Sequence, residues 1–213
     1  TREIQKEEVM MMRRANINHF RNSHYPCDPY WYFLCDKYGI YLEDEANIES
    51  HEYYYGEASL SHPEEWKKAH VARVMEMAHA TVNNACVVIW SLGNEAWGYN
   101  CQDSCYDYIK NTGSKIPVHY ESVVHTKRFA YDVISEMYPS HENVAKYGAQ
   151  TYKDKRYHDK PYFMCEYVHA MGVGPGAVEE YWESVYAHDS LMGGCVWEWA
   201  DHAVYHDGTD KYK

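Results

Sequence analysis

Seven short apolar runs, each followed by a longer segment of helical or polar pattern, leave this chain few ways to fold. The runs occupy residues 18–21, 40–42, 87–90, 118–120, 133–135, 162–165 and 195–197. Several are continuous rather than alternating, as in strands buried on both faces of a parallel sheet. The segments between them carry helix signals. Asp28-Pro29 supplies an N-cap and a first-turn proline, and Gly39 ends that helix. His62-Pro63-Glu64-Glu65 opens another, with Val71, Val74, Met75 and Ala78 as its apolar stripe. A third follows Gly176, with Val178, Tyr181, Trp182 and Val185 on one face, and a Met-rich helix over residues 4–15 precedes the first strand. Repeated strand–helix alternation means parallel α/β. No Gly-rich phosphate loop follows the first run, which favours a (β/α)8 barrel over a dinucleotide-binding sheet. With seven strands the barrel is one short at its amino end. The stretch between Tyr120 and Tyr131 is too short for a crossover helix, so it is expected to be irregular. No linker or repeat divides the chain, and residues 1–213 are read as one partial catalytic barrel domain.

Charge and composition narrow the function. Lys and Arg number 20 against 32 Asp and Glu, a formal net charge of −12, which opposes nucleic-acid binding. No apolar run approaches the roughly 20 residues that span a bilayer, and residues 1–10 do not read as a secretory signal. Seven cysteines without a CxxC pair read as buried free thiols, which suits a cytoplasmic protein. The 23 tyrosines suit cores and sugar-binding clefts alike.

In a barrel, chemistry gathers at the carboxyl ends of the strands. Ser23-His24-Tyr25 follows the first run, and residues 44–51 (Asp-Glu-Ala-Asn-Ile-Glu-Ser-His) follow the second. Gly93-Asn94-Glu95, Glu136-Met137-Tyr138, Glu166-Tyr167-Val168-His169 and Trp197-Glu198-Trp199 with Asp201 follow later ones. Two glutamates on separate strand ends, Glu95 and Glu166, are the ingredients of glycoside hydrolysis, in which one acid protonates the leaving oxygen and the other attacks or activates water. Either alone is equally read as a solvated acid. Glu49 and His51 point the same way on an extended chain, and with a further carboxylate they suit Mg²⁺ or Mn²⁺ better than structural zinc. A surface pair explains them as simply, and His24, His51 and His169 read equally as core histidines. Trp197 or Trp199 offers a face for stacking a pyranose. Tyr53-Tyr54-Tyr55 reads as a lid or interface patch.

Beyond these patterns, several blocks closely resemble the catalytic barrel of β-galactosidases of the second glycoside hydrolase family. They are Asn18-His19-Phe20-Arg21-Asn22-Ser23-His24-Tyr25-Pro26, the segment 44–51, Ile89-Trp90-Ser91-Leu92-Gly93-Asn94-Glu95, Cys165-Glu166-Tyr167-Val168-His169-Ala170-Met171-Gly172 and Gly193-Gly194-Cys195-Val196-Trp197-Glu198-Trp199-Ala200-Asp201. They stand in family order and cover nearly the whole chain. The resemblance implies a retaining exo-glycosidase acting on terminal β-D-galactosides such as lactose. It implies Glu95 as acid/base, Glu166 as nucleophile, and Glu49, His51 and Glu95 as ligands of Mg²⁺. It further implies Tyr138 beside the nucleophile with Met137 next to it, and Arg21 orienting the nucleophile. His24 and His169 would bind sugar hydroxyls, Asn94 the 2-hydroxyl, and Trp197 would pack on the ring. A full-length homo-oligomer is expected, with no nucleic-acid or membrane partner. The chain departs from the family at Glu52, Asn84-Ala85, Ala96-Trp97 and Val173, and the first barrel strand and flanking β-domains are missing from it. Two alternatives remain: an inert barrel fragment, and a related retaining glycosidase of glucuronidase or mannosidase type. A metal-dependent hydrolase built on Glu49 and His51 leaves Glu166 without a task.

Overall fold

The computed structural model describes residues 1–51, 56–121, 123–170 and 176–200. Glu52, the Tyr53–Tyr55 patch, Met171-Gly172, Val173 and Asp201 lie outside the described residues. Among the rest, strands and helices alternate: α1 (Arg2–Arg14), β1 (His19–Arg21), α2 (Pro29–Tyr38), β2 (Tyr41–Glu45), α3 (Glu64–Thr81), β3 (Val87–Ser91), α4 (Asn100–Asn111), β4 (Val118–His119), β5 (Ile134–Met137), α5 (His141–Gly148), β6 (Tyr162–Tyr167), α6 (Val178–Ala187) and β7 (Leu191–Val196). Every paired strand is parallel, in two sheets ordered β1-β2-β3-β4 and β5-β6-β7. This is the parallel α/β barrel wall expected from the alternation. It is not closed by a continuous ladder. β1 and β7 approach each other at the outer edges, where Cys195 Sγ lies 3.6 Å from His19 Nδ1. No helix among the described residues is long and apolar enough to cross a membrane, and all seven cysteines are free.

Local chemistry explains the elements. Asp28 accepts a hydrogen bond from the Tyr30 amide at 2.8 Å, Pro29 opens α2, and Gly39 closes it in the left-handed conformation at φ 70°. The described residues of the connection after β4 are irregular apart from one short 3₁₀ turn, Val123–His125. The apolar core forms two clusters, one under each sheet, with Val124 packed against both.

Several strands differ from their sequence reading, three of them in ways that matter for the site. β2 does not stop at Leu42 but continues through Glu43, Asp44 and Glu45, all fully buried. β6 likewise includes Glu166. β7 begins at Leu191 and ends before Trp197, and its two glycines hid its start. Gly194 has a steric reason: a Cβ there would lie 2.6 Å from the Met164 Cβ of the neighbouring strand. The buried face of α3 is also rotated from the expected stripe and carries His70, Val74, Met77 and Thr81. Polar residues sit on it because they have partners: His70 meets Ser61 at 3.1 Å, and Thr81 donates to Asp44 at 2.6 Å. Val178, expected on the apolar face of α6, is exposed, whereas Tyr181 is buried and donates to the Pro139 carbonyl.

Strand alternation sends the β2 acids to opposite sides. Asp44 points to the helix layer, where Asn22 (2.6 Å), Tyr32 (2.7 Å) and Thr81 all donate to it. Glu43 and Glu45 point to the other side, Glu43 pairing with His119 and Glu45 with Arg21 at 2.7 Å. Burial opposes ionisation of Glu45. Arg21, His24 and Ser91 overcome that penalty and hold its carboxyl down at about 2. Its stabilising contribution is therefore complete above the unfolded value of 4.5 and is withdrawn as pH falls through about 2. Glu45→Gln is expected to cost about 3–5 kcal/mol at neutral pH, because it strips a buried guanidinium of a partner. Urea denaturation checks this. The gap between wild type and variant must narrow on acidification across that window, and a gap independent of pH would exclude an ionised Glu45.

Candidate active site

The carboxyl ends of the strands meet around Arg21, the last residue of β1. Its guanidinium is buried and reaches three elements: Nη1 donates to Glu166 Oε1 at 2.7 Å, Nη2 to Asn94 Oδ1 at 2.8 Å, and Nε to Glu45 Oε2 at 2.8 Å. Burial works to lower the Arg21 pKa, but Glu45 and the other acids around it prevail and push it well up. Glu166 therefore faces a permanent cation on one oxygen. Its other oxygen accepts from the Tyr138 hydroxyl at 2.6 Å. Burial and that bond to Glu166 push the Tyr138 phenol up, so it remains a donor. Met137 stands opposite Glu166 in the β5–β6 register, and the Tyr138 amide donates to the Glu166 carbonyl at 2.8 Å.

Glu95 sits on the turn after β3. Its carbonyl accepts from the His51 amide at 2.9 Å, and its Oε2 lies 2.9 Å from His51 Nε2. The turn can approach the β2 loop this closely because Gly93 has no side chain: a Cβ there would fall 2.5 Å from the Ile48 carbonyl, and its φ is +117°. The two glutamates differ in solvation. The Glu95 side chain is 21% exposed and that of Glu166 only 5%. His24 bonds Glu45 Oε1 through Nδ1 at 2.6 Å and stacks on Trp197 with centroids 5.4 Å apart. Asn94 Nδ2 lies 3.4 Å from His24 Nε2 and donates to Glu49 Oε1 at 3.3 Å. His169 meets Tyr138 edge-on at 5.2 Å. His51, Glu95, Tyr138 and Val168 all hold positive φ angles, strain of the kind that collects at functional sites.

One network thus joins Arg21, Glu166, Tyr138, Asn94, His24 and Trp197, with His169 on its edge. Of Glu49, His51 and Glu95, the last two touch and Glu49 is held through Asn94. Among the described residues, the donors that crowd within 4.8 Å of one another are instead Glu43, Glu45 and His119, all buried. Sequence reasoning gave Glu45 and Ser91 no task. The available signal was Arg21 itself, a permanent cation on a buried strand that demands inward carboxylates from its neighbour.

The family model described as "Glycosyl hydrolases family 2, TIM barrel domain" matches residues 2–212. A β-galactosidase of Pectobacterium atrosepticum is 38% identical over 96% of this chain and 20% of its own length. A β-galactosidase of Priestia megaterium is 38% identical over 98% of this chain and 21% of its own length. The chain therefore spans about a fifth of the length of these curated relatives. Among solved structures, an uncultured Clostridium sp. β-glucuronidase superposes with a TM-score of 0.77 at 20% identity, over 94% of this chain and 41% of that one. A family 2 β-galacturonidase from Eisenbergiella tayi gives 0.72 at 18% identity, over 93% and 40%. At such identities these two speak for the fold alone. The profile match along almost the whole chain, with relatives well above 30% identity, places it in glycosyl hydrolase family 2, as part of that family's TIM barrel domain.

Proposed function

We propose that the protein containing this barrel is a retaining exo-glycosidase that hydrolyses terminal β-D-galactosides. The observation that carries the reading is the asymmetry of the two glutamates. Glu166 is buried and fixed by Arg21 and Tyr138, while Glu95 sits on a neighbouring turn with more access to water. In a retaining mechanism Glu166 attacks the anomeric carbon as Glu95 gives its proton to the leaving oxygen. The resulting glycosyl ester is cleaved when Glu95 takes a proton from water and the water oxygen attacks the same carbon. Arg21 and Tyr138 each hold one oxygen of Glu166 and so aim its carboxyl. His24, His169 and Asn94 bind hydroxyls, and Trp197, stacked with His24, packs on the ring.

Glu49, His51 and Glu95 form a hard, mostly oxygen donor set, with His51 already against Glu95 at 2.9 Å, and they would hold Mg²⁺ or Mn²⁺. When bound, the cation supplies positive charge beside the acid/base carboxyl. The free thiols suit a reducing compartment, and we place the protein in the cytoplasm.

The choice of a neutral sugar over a uronide rests on charge. A sugar carboxylate calls for a cation, yet the guanidinium at this site is already committed to Glu45, Glu166 and Asn94. Comparing galactoside, glucuronide and mannoside chromogens tests this, and faster cleavage of the glucuronide would reverse it. A 2-deoxy-2-fluoro-galactoside with an activated leaving group should label Glu166, read by mass spectrometry of the digest. Folded, Mg²⁺-loaded protein that takes no label would be the inert fragment instead. Glu95→Gln should slow cleavage by about 10²–10⁴-fold for poor leaving groups and much less for activated ones. An equal loss on both would remove Glu95 from the acid role. Chelation should lower the rate reversibly, and His51→Ala should reproduce the loss and make it insensitive to added Mg²⁺.

A further inference from the structure

A cavity of about 390 Å³ opens between the loops that follow β4 and β5, and its wall includes both Glu95 and Tyr138. Its size falls in the usual range for small-molecule sites, about 300–1,000 Å³. Glu121, Glu136, Trp97 and His125 also line it. Glu136 is held in an unusual way: Tyr157 donates to its Oε1 at 2.5 Å, and Tyr147 and Tyr162 donate to its Oε2 at 3.1 and 2.8 Å. Burial, reinforced by Glu136 itself, pushes all three phenols up, so they remain donors. Three neutral donors orient the carboxyl without adding a positive charge beside it. His125 does not add one either, because burial outweighs the pull of Glu136 and lowers its pKa. The His125 ring instead stacks on Trp97, centroids 4.3 Å apart, giving the wall an aromatic surface. None of the described residues that line the cavity is lysine or arginine.

Fixed negative charge, phenol hydroxyls and stacked rings together suit a hydroxylated ring that carries a positive charge. The cavity's position says which part of a substrate that ring would be. Glu95 borders it, and the proposed task of Glu95 is to protonate the oxygen that departs with the leaving group.

We propose that this cavity is a leaving-group subsite that selects amino sugars, so that preferred substrates are β-galactosides whose aglycone is a pyranose bearing a protonated amine. The proposal rests on the galactosidase reading and adds the aglycone to it. Glu136 supplies the charge, Trp97 and His125 the apolar face, and Glu121 a second acidic wall.

Three β-galactosides of nearly equal shape test it, with glucosamine, N-acetylglucosamine and glucose as aglycones. Acetylation removes the positive charge and keeps the ring. The glucosamine compound should show roughly tenfold higher kcat/KM than the other two, the scale of one charge-assisted contact. Glu136→Gln should bring that ratio close to one, and raising salt should shrink it in the wild type. Equal kcat/KM on all three, or a ratio unchanged in Glu136→Gln, would overturn the subsite. Calorimetric titration with methyl β-glucosaminide and its N-acetyl analogue supplies a readout that needs no turnover. Tighter binding of the free amine, lost in Glu136→Gln, supports the subsite, and equal binding of the two overturns it. Failure of the galactosidase reading looks different: no cleavage of any galactoside, a nitrophenyl galactoside included.

Discussion

A guanidinium buried at the end of a strand must be surrounded by acceptors, and Arg21 organises the rest of the molecule through that demand. An unpaired charge in the interior costs several kcal/mol, so a fold that buries Arg21 has to bring carboxylates to it. It draws Glu45 from β2, Asn94 from the turn after β3 and Glu166 from β6. The last of these crosses between the two sheets. One side chain therefore sets the spacing of β1 and β2, helps fix the loop that carries Glu95, and fixes the orientation of Glu166. Structural and chemical roles overlap here: two of the groups bonded to Arg21, Glu166 and Asn94, are ones the proposed reaction uses.

β2 shows how a strand meets such a demand. Three consecutive acids in a fully buried strand contradict ordinary patterning, and alternation resolves the conflict. Glu45 faces Arg21, Glu43 faces His119, and Asp44 turns to the helix layer, where hydroxyl and amide donors from three elements satisfy it. Burial pushes Asp44 up while those donors pull it down, with burial the larger influence. Arg21 and its other donors instead hold Glu45 far below the usual carboxylate range. Adjacent residues thus acquire opposite electrostatic character from the side of the strand on which they lie.

The sequence made the fold class readable because apolar runs and helix caps are local signals. Asp28-Pro29 and Gly39 act within a few residues, and the structure places them as their chemistry dictates. The loop residues Asn94, Glu95 and Tyr138 were readable as candidates by their position after apolar runs and by family motif. What stayed hidden depends on partners far along the chain. The acidic half of β2 reads as a loop because its apolar run ends at Leu42, and partners from elsewhere in the chain, Arg21, His119 and Thr81 among them, make those acids tolerable inside. The buried face of α3 is hidden for the same reason, since periodicity scores Thr81 as polar and cannot see Asp44 as the acceptor of its hydroxyl. Glu136 gave no local sign of its three tyrosines, two of which come from α5 and β6.

The join between the sheets explains why the cavity stands where it does. β4 is two residues long, and no ladder connects it to β5. Asp132 spans the interval, its amide donating to the Val118 carbonyl at 3.1 Å while its carboxylate accepts from the Val118 amide at 2.8 Å. A side chain thereby does the work of a ladder bond, and at this edge β4 and β5 join through side chains, Asp132 on Val118 and His119 Nε2 2.7 Å from Ser135 Oγ, instead of a continuous strand pairing. Beyond that point the segments after β4 and β5 are free to diverge, and the described residues of 120–131 hold one short 3₁₀ turn, Val123–His125, in place of a crossover helix. The space left is lined from one side by Glu121 and His125 and from the other by Glu136 and Tyr138. A longer β4 zipped to β5 would bring these walls together, so the shortness of one strand sets the room available beside Glu95.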